Sequence, residues 1–164
     1  MGAKKDMLRG KKVLIVDDEP DVLSTLEEIL DMCEVVKAGT FEEAKKEFES
    51  QLFDLALLDI MGVKGYELLE IAVAKKVTAV MLTAQALSPE DMMKSFRCGA
   101  AFHVPKDKIS EIVSFLTKIL EAKKKGQSTW IPFVGWAEAY YNAKFGPKWE
   151  ACDMDFWKKL TGQA

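Results

Sequence analysis

Four short apolar runs in this chain each end at a polar residue, and this pattern constrains the fold more than any other feature. The runs end at Asp17, Asp59, Thr83 and Lys106. Continuous apolar runs that alternate with amphipathic stretches of helix length are typical of parallel strands buried on both faces. Open parallel sheets bind ligands outside the carboxyl ends of their strands. We therefore expect carboxylates, a hydroxyl and an ammonium group to meet at one edge of a sheet.

Strand and helix patterns alternate five times along the chain. The strands are predicted at residues 12–16, 34–38, 54–58, 77–82 and 101–104. Helix signals lie between them: Pro20 opens the first helix, the residues from Thr40 to Glu43 have the form of a capping box, and Gly99 favours a left-handed helix end. Right-handed crossovers predict a doubly wound, five-stranded parallel α/β sheet of flavodoxin-like order 2-1-3-4-5.

Composition and charge exclude several classes of protein. The chain has 164 residues, of which 49% are hydrophobic, and a net charge of −3, values typical of a globular protein with no electrostatic reason to bind nucleic acid. No apolar run is long enough to span a bilayer, so we expect a cytoplasmic protein without a membrane anchor. Cys33, Cys98 and Cys152 are widely spaced, which argues against disulfides and zinc. His103 is the single histidine, so a Ser-His-Asp arrangement has little support.

The predicted strand order places three carboxylates side by side, because strands one and three are neighbours. Asp17, Asp18 and Asp59 would repel one another, so a cation is needed there, and Mg²⁺ is the natural occupant of a site built from carboxylates. Asp59 could then attack a phosphoryl donor, Thr83 could donate a hydrogen bond to the phosphoryl oxygens, and Lys106 could offset the remaining negative charge. Each residue alone is a weak signal; their joint order along the chain is a strong one.

Four motifs together resemble the receiver domain of bacterial two-component response regulators, over about residues 11–124. The motifs lie at residues 13–20, 54–61, 82–84 and 99–106. The resemblance implies that Asp59 is the phosphoacceptor, with a histidine kinase or phosphotransfer protein as donor. It also implies no enzymatic activity beyond self-phosphorylation and slow self-dephosphorylation. The implied metal ligands are Asp17, Asp18, Asp59 and the backbone carbonyl of Met61, and the implied phosphoryl-binding and switch residues are Thr83, Ala84, Lys106 and His103.

The chain departs from the family pattern in three places. The loop from Asp59 to Gly65 is shorter than usual, Lys106 is followed by Asp107 instead of proline, and His103 stands where the family has an aromatic switch residue. Two interpretations of His103 remain open. It is either a switching side chain that titrates near neutral pH, or a partly exposed histidine on an edge strand.

The region after the predicted receiver differs sharply in composition. We predict a receiver domain at residues 1–125 and an aromatic-rich helical extension at residues 126–164, which contains all four tryptophans. The extension is too short for a winged helix and has no basic recognition helix, so direct DNA binding is not expected. Its two helical patterns, on either side of Gly146-Pro147, are expected to cover the receiver or to mediate self-association.

Output is expected to pass through protein contacts, to a downstream target that the sequence does not identify. One hypothesis places the output or homodimer surface on helix four, strand five and helix five, with Met92, Met93, Phe96 and His103. The alternative is that Met92, Met93 and Phe96 pack in the core. The C-terminal helices are a second candidate for a homodimer surface.

Three other functions were weighed against a phosphorylated switch. The first is an unphosphorylated scaffold or interaction module on a receiver fold. The second is a phosphatase of the haloacid dehalogenase type, which would need an aspartate where this chain has Met61. The third is a flavodoxin-like cofactor binder, which would need a Ser/Thr-rich phosphate loop where this chain has Asp17 and Asp18.

Overall fold

A five-stranded parallel sheet forms the centre of the computed structural model, which describes residues 7–84 and 89–145. The strands are β1 (Lys12–Val16), β2 (Glu34–Ala38), β3 (Leu55–Asp59), β4 (Thr78–Thr83) and β5 (Phe102–Pro105). Their order across the sheet is β2-β1-β3-β4-β5, and all four pairings are parallel. The predicted doubly wound α/β fold with order 2-1-3-4-5 is confirmed.

Helices follow each strand, and the local signals for them are largely as predicted. The helices are α1 (Pro20–Ile29), α2 (Phe41–Ser50), α3 (Gly65–Ala74), α4 (Pro89–Arg97), α5 (Ile112–Lys124) and α6 (Val134–Phe145), with 3₁₀ helices at Lys106–Glu111 and Ile131–Phe133. The Thr40 hydroxyl accepts the Glu43 N–H at 3.1 Å, and Gly99 has a φ of +94°. The capping box differs in one bond: the Glu43 carboxylate accepts the N–H of Gly39, at 2.9 Å, instead of that of Thr40.

The last three strands each begin and end one residue later than predicted. In β3 and β4, parallel pairing continues through the polar residue at the strand end: Asp59 pairs with Leu82, and Thr83 pairs with Pro105 at the end of β5. The prediction ended these strands where the apolar run ends, whereas backbone pairing does not depend on side-chain polarity. Asp59 and Thr83 are therefore held by the sheet itself.

The core lies on both faces of the sheet. Alternate residues of β1 divide between the faces: Leu14 and Val16 pack with α2 and α3, whereas Val13 and Ile15 pack with α1 and α5. The core on the face of α1 and α5 also contains Trp130 and Phe133, which follow α5 and are almost fully buried. Among residues 7–84 and 89–145, no helix is both long enough and apolar enough to cross a membrane.

Parts of two predictions lie outside the described residues. The second helical pattern of the extension, with Trp149, Cys152, Phe156 and Leu160, is one of them. Ser88, the predicted cap of α4, is the other. The first helical pattern of the extension is present as the 3₁₀ helix Ile131–Phe133 and α6.

Candidate functional site

Two buried carboxylates lie side by side at the carboxyl ends of β1 and β3. Val16 pairs with Leu58, so Asp17 and Asp59, the next residue on each strand, are neighbours. The side chain of Asp17 is fully buried and that of Asp59 nearly so, whereas Asp18 and Glu19 are exposed. The Asp17 Oδ1 atom accepts the N–H of Glu19 at 2.9 Å, which folds the start of the β1–α1 loop back over the strand end. The predicted convergence of Asp17 and Asp59 is present.

The ammonium group of Lys106 connects three carboxylates at this edge of the sheet. Its Nζ lies 2.9 Å from Asp17 Oδ2, 3.3 Å from Asp59 Oδ1 and 2.8 Å from Glu19 Oε1. Lys106 directly follows β5, two strands away from β3. These contacts therefore link the end of the edge strand β5 to the carboxylates at the ends of β1 and β3. Glu19 was not among the predicted site residues, although its place next to Asp17-Asp18 was a signal that could have identified it.

The site holds more negative charge than Lys106 can balance. Desolvation by burial and the nearby charge of Asp17 raise the pKa of Asp59, and the Lys106 charge opposes this only in part. Burial also raises the pKa of Asp17. Burial by itself would lower the pKa of Lys106, but its hydrogen bonds to Glu19 and Asp17 raise that pKa overall. The site therefore has one ammonium group for four carboxylates, those of Asp17, Glu19, Asp59 and exposed Asp18. A further cation would reduce the repulsion between these carboxylates.

The loop after Asp59 is packed tightly against the acidic residues. A Cβ atom added to Gly62, which has a φ of +30°, would lie 2.6 Å from Asp18 Cγ. A Cβ on Gly65 would lie 2.7 Å from Ile60 Cα and would also overlap the Asp59 carbonyl oxygen. Only glycine fits at position 65, because the close atoms there belong to the backbone. At position 62 the positive φ favours glycine, and any other residue would displace the Asp18 carboxylate. The shorter loop noted in the sequence is thus a compact cover over the strand end.

Met61 lies on this loop, with its side chain exposed to solvent. Its carbonyl oxygen accepts the N–H of Val63 within a tight turn. A carbonyl oxygen has two lone pairs, so this bond leaves one acceptor position for the predicted metal contact. The role of the Met61 carbonyl stays a prediction.

Thr83 and Ala84 complete the edge on the β4 side. Thr83 is buried at the end of β4, next to Pro105 in the sheet register, and therefore one residue away from Lys106 in that direction. Ala84 follows in an exposed bend. The four strand ends singled out in the sequence thus share one edge of the sheet.

The environment of His103 differs from expectation, although its role as a switch residue stays a prediction. Its side chain is fully buried, stacked on Phe102 at a centroid distance of 5.1 Å and against Trp130 at 5.5 Å. Burial lowers its pKa to about 3. The expectations of a partly exposed side chain and of titration near neutral pH are therefore wrong, because residues of the C-terminal region cover this strand edge.

The predicted output face is also different from expectation. Met92 and Met93 are buried in the core, and Phe96 is partly buried with its ring edge-on to Trp130 at 5.6 Å. Met92, Met93 and His103 are thus not exposed for contacts with a partner, whereas Phe96 keeps part of its ring exposed. The alternative prediction, that the two methionines pack in the core, is confirmed.

The donor atoms of the site fit a hard divalent cation. Carboxylate oxygens of Asp17, Asp18 and Glu19 all lie within 4.8 Å of one another. Mg²⁺ prefers oxygen ligands and is bound through one or two protein carboxylates together with water and phosphate oxygens. Buried Asp59 is joined to Asp17 and Glu19 by their common contact with Lys106. The residues present can therefore hold Mg²⁺.

Comparison with known proteins identifies one family. A family model described as response regulator receiver domain matches residues 13–117. The two-component response regulator ARR18 of Arabidopsis thaliana is 33% identical over 103 residues, which cover 59% of this chain and 16% of that protein. The probable transcriptional regulator ycf27 of Guillardia theta is 37% identical over 123 residues, which cover 72% of this chain and 45% of that protein. The chain thus spans less than half the length of these curated relatives.

A solved structure agrees with these matches. The CheY-like response regulator receiver domain protein from Methanospirillum hungatei JF-1 superimposes with a TM-score of 0.63 at 30% sequence identity. The superposition covers 71% of this chain and 98% of that one.

Proposed function

The chain belongs to the response regulator receiver domain family of two-component systems, and from this premise we propose that it acts as a phosphorylation-dependent signalling switch. In the proposed function, Asp59 accepts a phosphoryl group from a histidine kinase or a phosphotransfer protein. The observation that supports this most strongly is the contact of the Lys106 ammonium with Asp17, Glu19 and Asp59 in one acidic pocket.

In this proposal Asp59 reacts as a nucleophile in its ionised form. A carboxylate oxygen attacks the phosphorus of a phosphohistidine, the P–N bond breaks, and an acyl phosphate forms. The electron pair of the broken bond stays on the histidine ring, which takes up a proton from solvent and leaves as neutral imidazole. The hydroxyl of Thr83 donates a hydrogen bond to the transferred phosphoryl group, and the backbone of Ala84 contributes to the same phosphoryl-binding site. Lys106 offsets the negative charge of the phosphoryl group. Such preorganised donors act where negative charge accumulates, and the sheet holds Asp59 and Thr83 in place.

Magnesium belongs to the proposal as the cofactor. Asp17, Asp18, Asp59 and the Met61 carbonyl would hold it. When bound, Mg²⁺ supplies positive charge that neutralises the carboxylates and the phosphoryl oxygens. The raised pKa of Asp59 is consistent with this role, because its burial beside Asp17 disfavours the ionised form that the reaction needs.

Signalling is proposed to run through protein contacts, in the cytoplasm, without binding of nucleic acid. The protein is proposed to have no enzymatic activity beyond self-phosphorylation and self-dephosphorylation. A homodimer through the surface of α4, β5 and α5, or through the C-terminal helices, stays a prediction. The division at residues 125 and 126 also stays a prediction, and Trp130 and Phe133 from beyond it pack in the receiver core.

A second candidate function is an unphosphorylated interaction module on the same fold. The observation that favours it is the complete burial of His103 beside Phe102 and Trp130, at the position where the resemblance implies a mobile switch residue. A side chain packed in this way would hold β5 in one position.

Phosphorylation of the full chain distinguishes the two candidates. The protein is incubated with acetyl phosphate and Mg²⁺, and its intact mass is measured. The switch predicts a gain of one phosphoryl group that is lost in Asp59→Asn. Asp54→Asn is the matched control, because Asp54 lies just before the opposite end of β3 and is exposed. If the wild-type protein gains no mass, the switch is wrong and the interaction module is favoured.

A further inference from the structure

The C-terminal strap, which we define as residues 129–140, is anchored to the start of β5 by two hydrogen bonds. The Thr129 hydroxyl donates to the Ala101 carbonyl at 2.7 Å. The Trp130 indole Nε1 donates to the Ala100 carbonyl at 2.8 Å, and this bond is buried. Both acceptors lie just before β5, the edge strand of the sheet. The strap therefore begins its contact at the end of β5 that lies far from the acidic site.

Aromatic rings of the strap then cover β5 and α5. Phe133 stacks on Phe102 at a centroid distance of 4.2 Å, and Trp136 packs edge-on against Phe115 of α5 at 5.2 Å. Trp130 also packs edge-on against Phe102, at 4.9 Å. Trp130 and Phe133 are 3% and 1% exposed, so the strap is part of the core and not a loose surface segment. Because protein interiors are closely packed, any displacement of β5 must also displace these rings.

The last residue of the strap extends its row of packed rings. Tyr140 of α6 stacks on Trp136 at 5.0 Å. Burial raises the pKa of Tyr140, and the charge of Asp107 raises it further. Asp107 directly follows Lys106 in the 3₁₀ helix after β5. The strap is therefore hydrogen-bonded to the residues before β5, and its rings pack on Phe102 and His103 of the strand that leads to the site lysine.

We propose that docking of the strap on β5 is coupled to the charge state of the acidic site, and that phosphorylation of Asp59 loosens the strap. Lys106 is the shared element, because its ammonium binds three carboxylates in the docked state. A phosphoryl group on Asp59 gives Lys106 a new partner, and β5, which Lys106 directly follows, shifts with it. The rings of Phe133 and Trp130, which pack on Phe102 and His103 of β5, then lose their fit. Coupling between two sites is reciprocal, so the docked strap also holds Lys106 in the acidic pocket.

The coupling itself is tested without phosphorylation. Hydrogen exchange of the full chain is measured by mass spectrometry in the wild-type protein and in Lys106→Gln, with the amides of α2 as an internal reference. Lys37→Gln is the matched control, because the Lys37 ammonium pairs with Glu27 at 3.0 Å on a different part of the surface. Loss of the Lys106 charge also lowers overall stability, so we expect exchange of the strap in Lys106→Gln to accelerate about fivefold more than exchange of α2, with no effect in the control. Equal acceleration of the strap and α2, or an unchanged strap, would overturn the inference.

The trigger is tested with acetyl phosphate and Mg²⁺, and this part depends on the proposed function. Exchange of the strap should accelerate in the wild-type protein and not in Asp59→Asn. A phosphorylated protein with unchanged strap exchange would overturn the inference and leave the switch function standing. If no phosphoryl group is gained, the switch function and the trigger fail, and the Lys106→Gln comparison still decides whether the site and the strap are coupled.

Discussion

Replacement of His103 by phenylalanine should remove a large part of the acid sensitivity of this fold. The His103 imidazole is fully buried, and burial lowers its pKa to about 3 from the ordinary histidine value of about 6.5. Below pH 6.5 the unfolded chain takes up a proton at this position, whereas the folded protein does so only near pH 3. The contribution of neutral His103 to the free energy of unfolding is therefore fully present above pH 6.5. It is lost progressively as the pH falls to about 3.

The size of the effect follows from the width of that window. Each pH unit within it costs about 1.4 kcal/mol, so His103 should lower the free energy of unfolding by about 2 kcal/mol at pH 5. Asp17 and Asp59 act in the opposite direction, because their raised pKa values make protonation favour the folded state. Both carboxylates are retained in His103→Phe, so their effect cancels in the comparison of the two proteins.

Urea unfolding of the full chain at pH 7.5 and pH 5 provides the assay. Between these two pH values, the wild-type protein should lose about 2 kcal/mol more unfolding free energy than His103→Phe, with equal urea dependence in both. Phenylalanine suits the site because the neighbouring groups include Phe102 and Trp130. If both proteins lose the same free energy between the two pH values, the burial of a neutral His103 is refuted.

Three further substitutions test the packing of the site and the strap. Trp130→Ala removes a buried ring and its hydrogen bond, so thermal or urea unfolding should show a loss of about 3–5 kcal/mol; a loss below about 1 kcal/mol would contradict the buried position of this ring. Gly65→Ala should destabilise the fold by about 2 kcal/mol or more through a clash with the backbone after Asp59, whereas Gly135→Ala, which meets open space, should be neutral or stabilising; equal effects would argue against the tight loop. Lys106→Ala leaves the buried carboxylates without a counter-charge, so it should lower the free energy of unfolding by about 3–5 kcal/mol in metal-free buffer. Added Mg²⁺ should restore part of this stability, and no response to Mg²⁺ would contradict the proposed cation site.

The sheet order and the meeting of the strand ends could be predicted because their signals are local. An apolar run that ends at Asp59 or Thr83 marks both a strand and its carboxyl end, and the crossover rule then fixes which ends are neighbours. The exact strand limits were less predictable. Backbone pairing extends β3 through Asp59, one residue beyond the apolar run. This extension could not be predicted, because backbone hydrogen bonding does not depend on side-chain polarity.

The environment of His103 could not be predicted, because it depends on residues far away in the sequence. Trp130 covers the edge strand from 27 positions further along the chain, and its indole is held by a backbone carbonyl that carries no sequence signal. The contact between Lys106 and Glu19 was missed for a related reason. The sequence showed an acidic residue next to Asp17-Asp18, but only the fold shows that it reaches the lysine after β5.

Chemical trapping of the phosphorylated residue tests the central claim most directly. The full chain is treated with acetyl phosphate and Mg²⁺, reduced with borohydride, which converts an aspartyl phosphate to homoserine, and mapped by tandem mass spectrometry. The account predicts homoserine at position 59 and at no other aspartate. Homoserine at position 17 or 18 instead, or none anywhere, would contradict it.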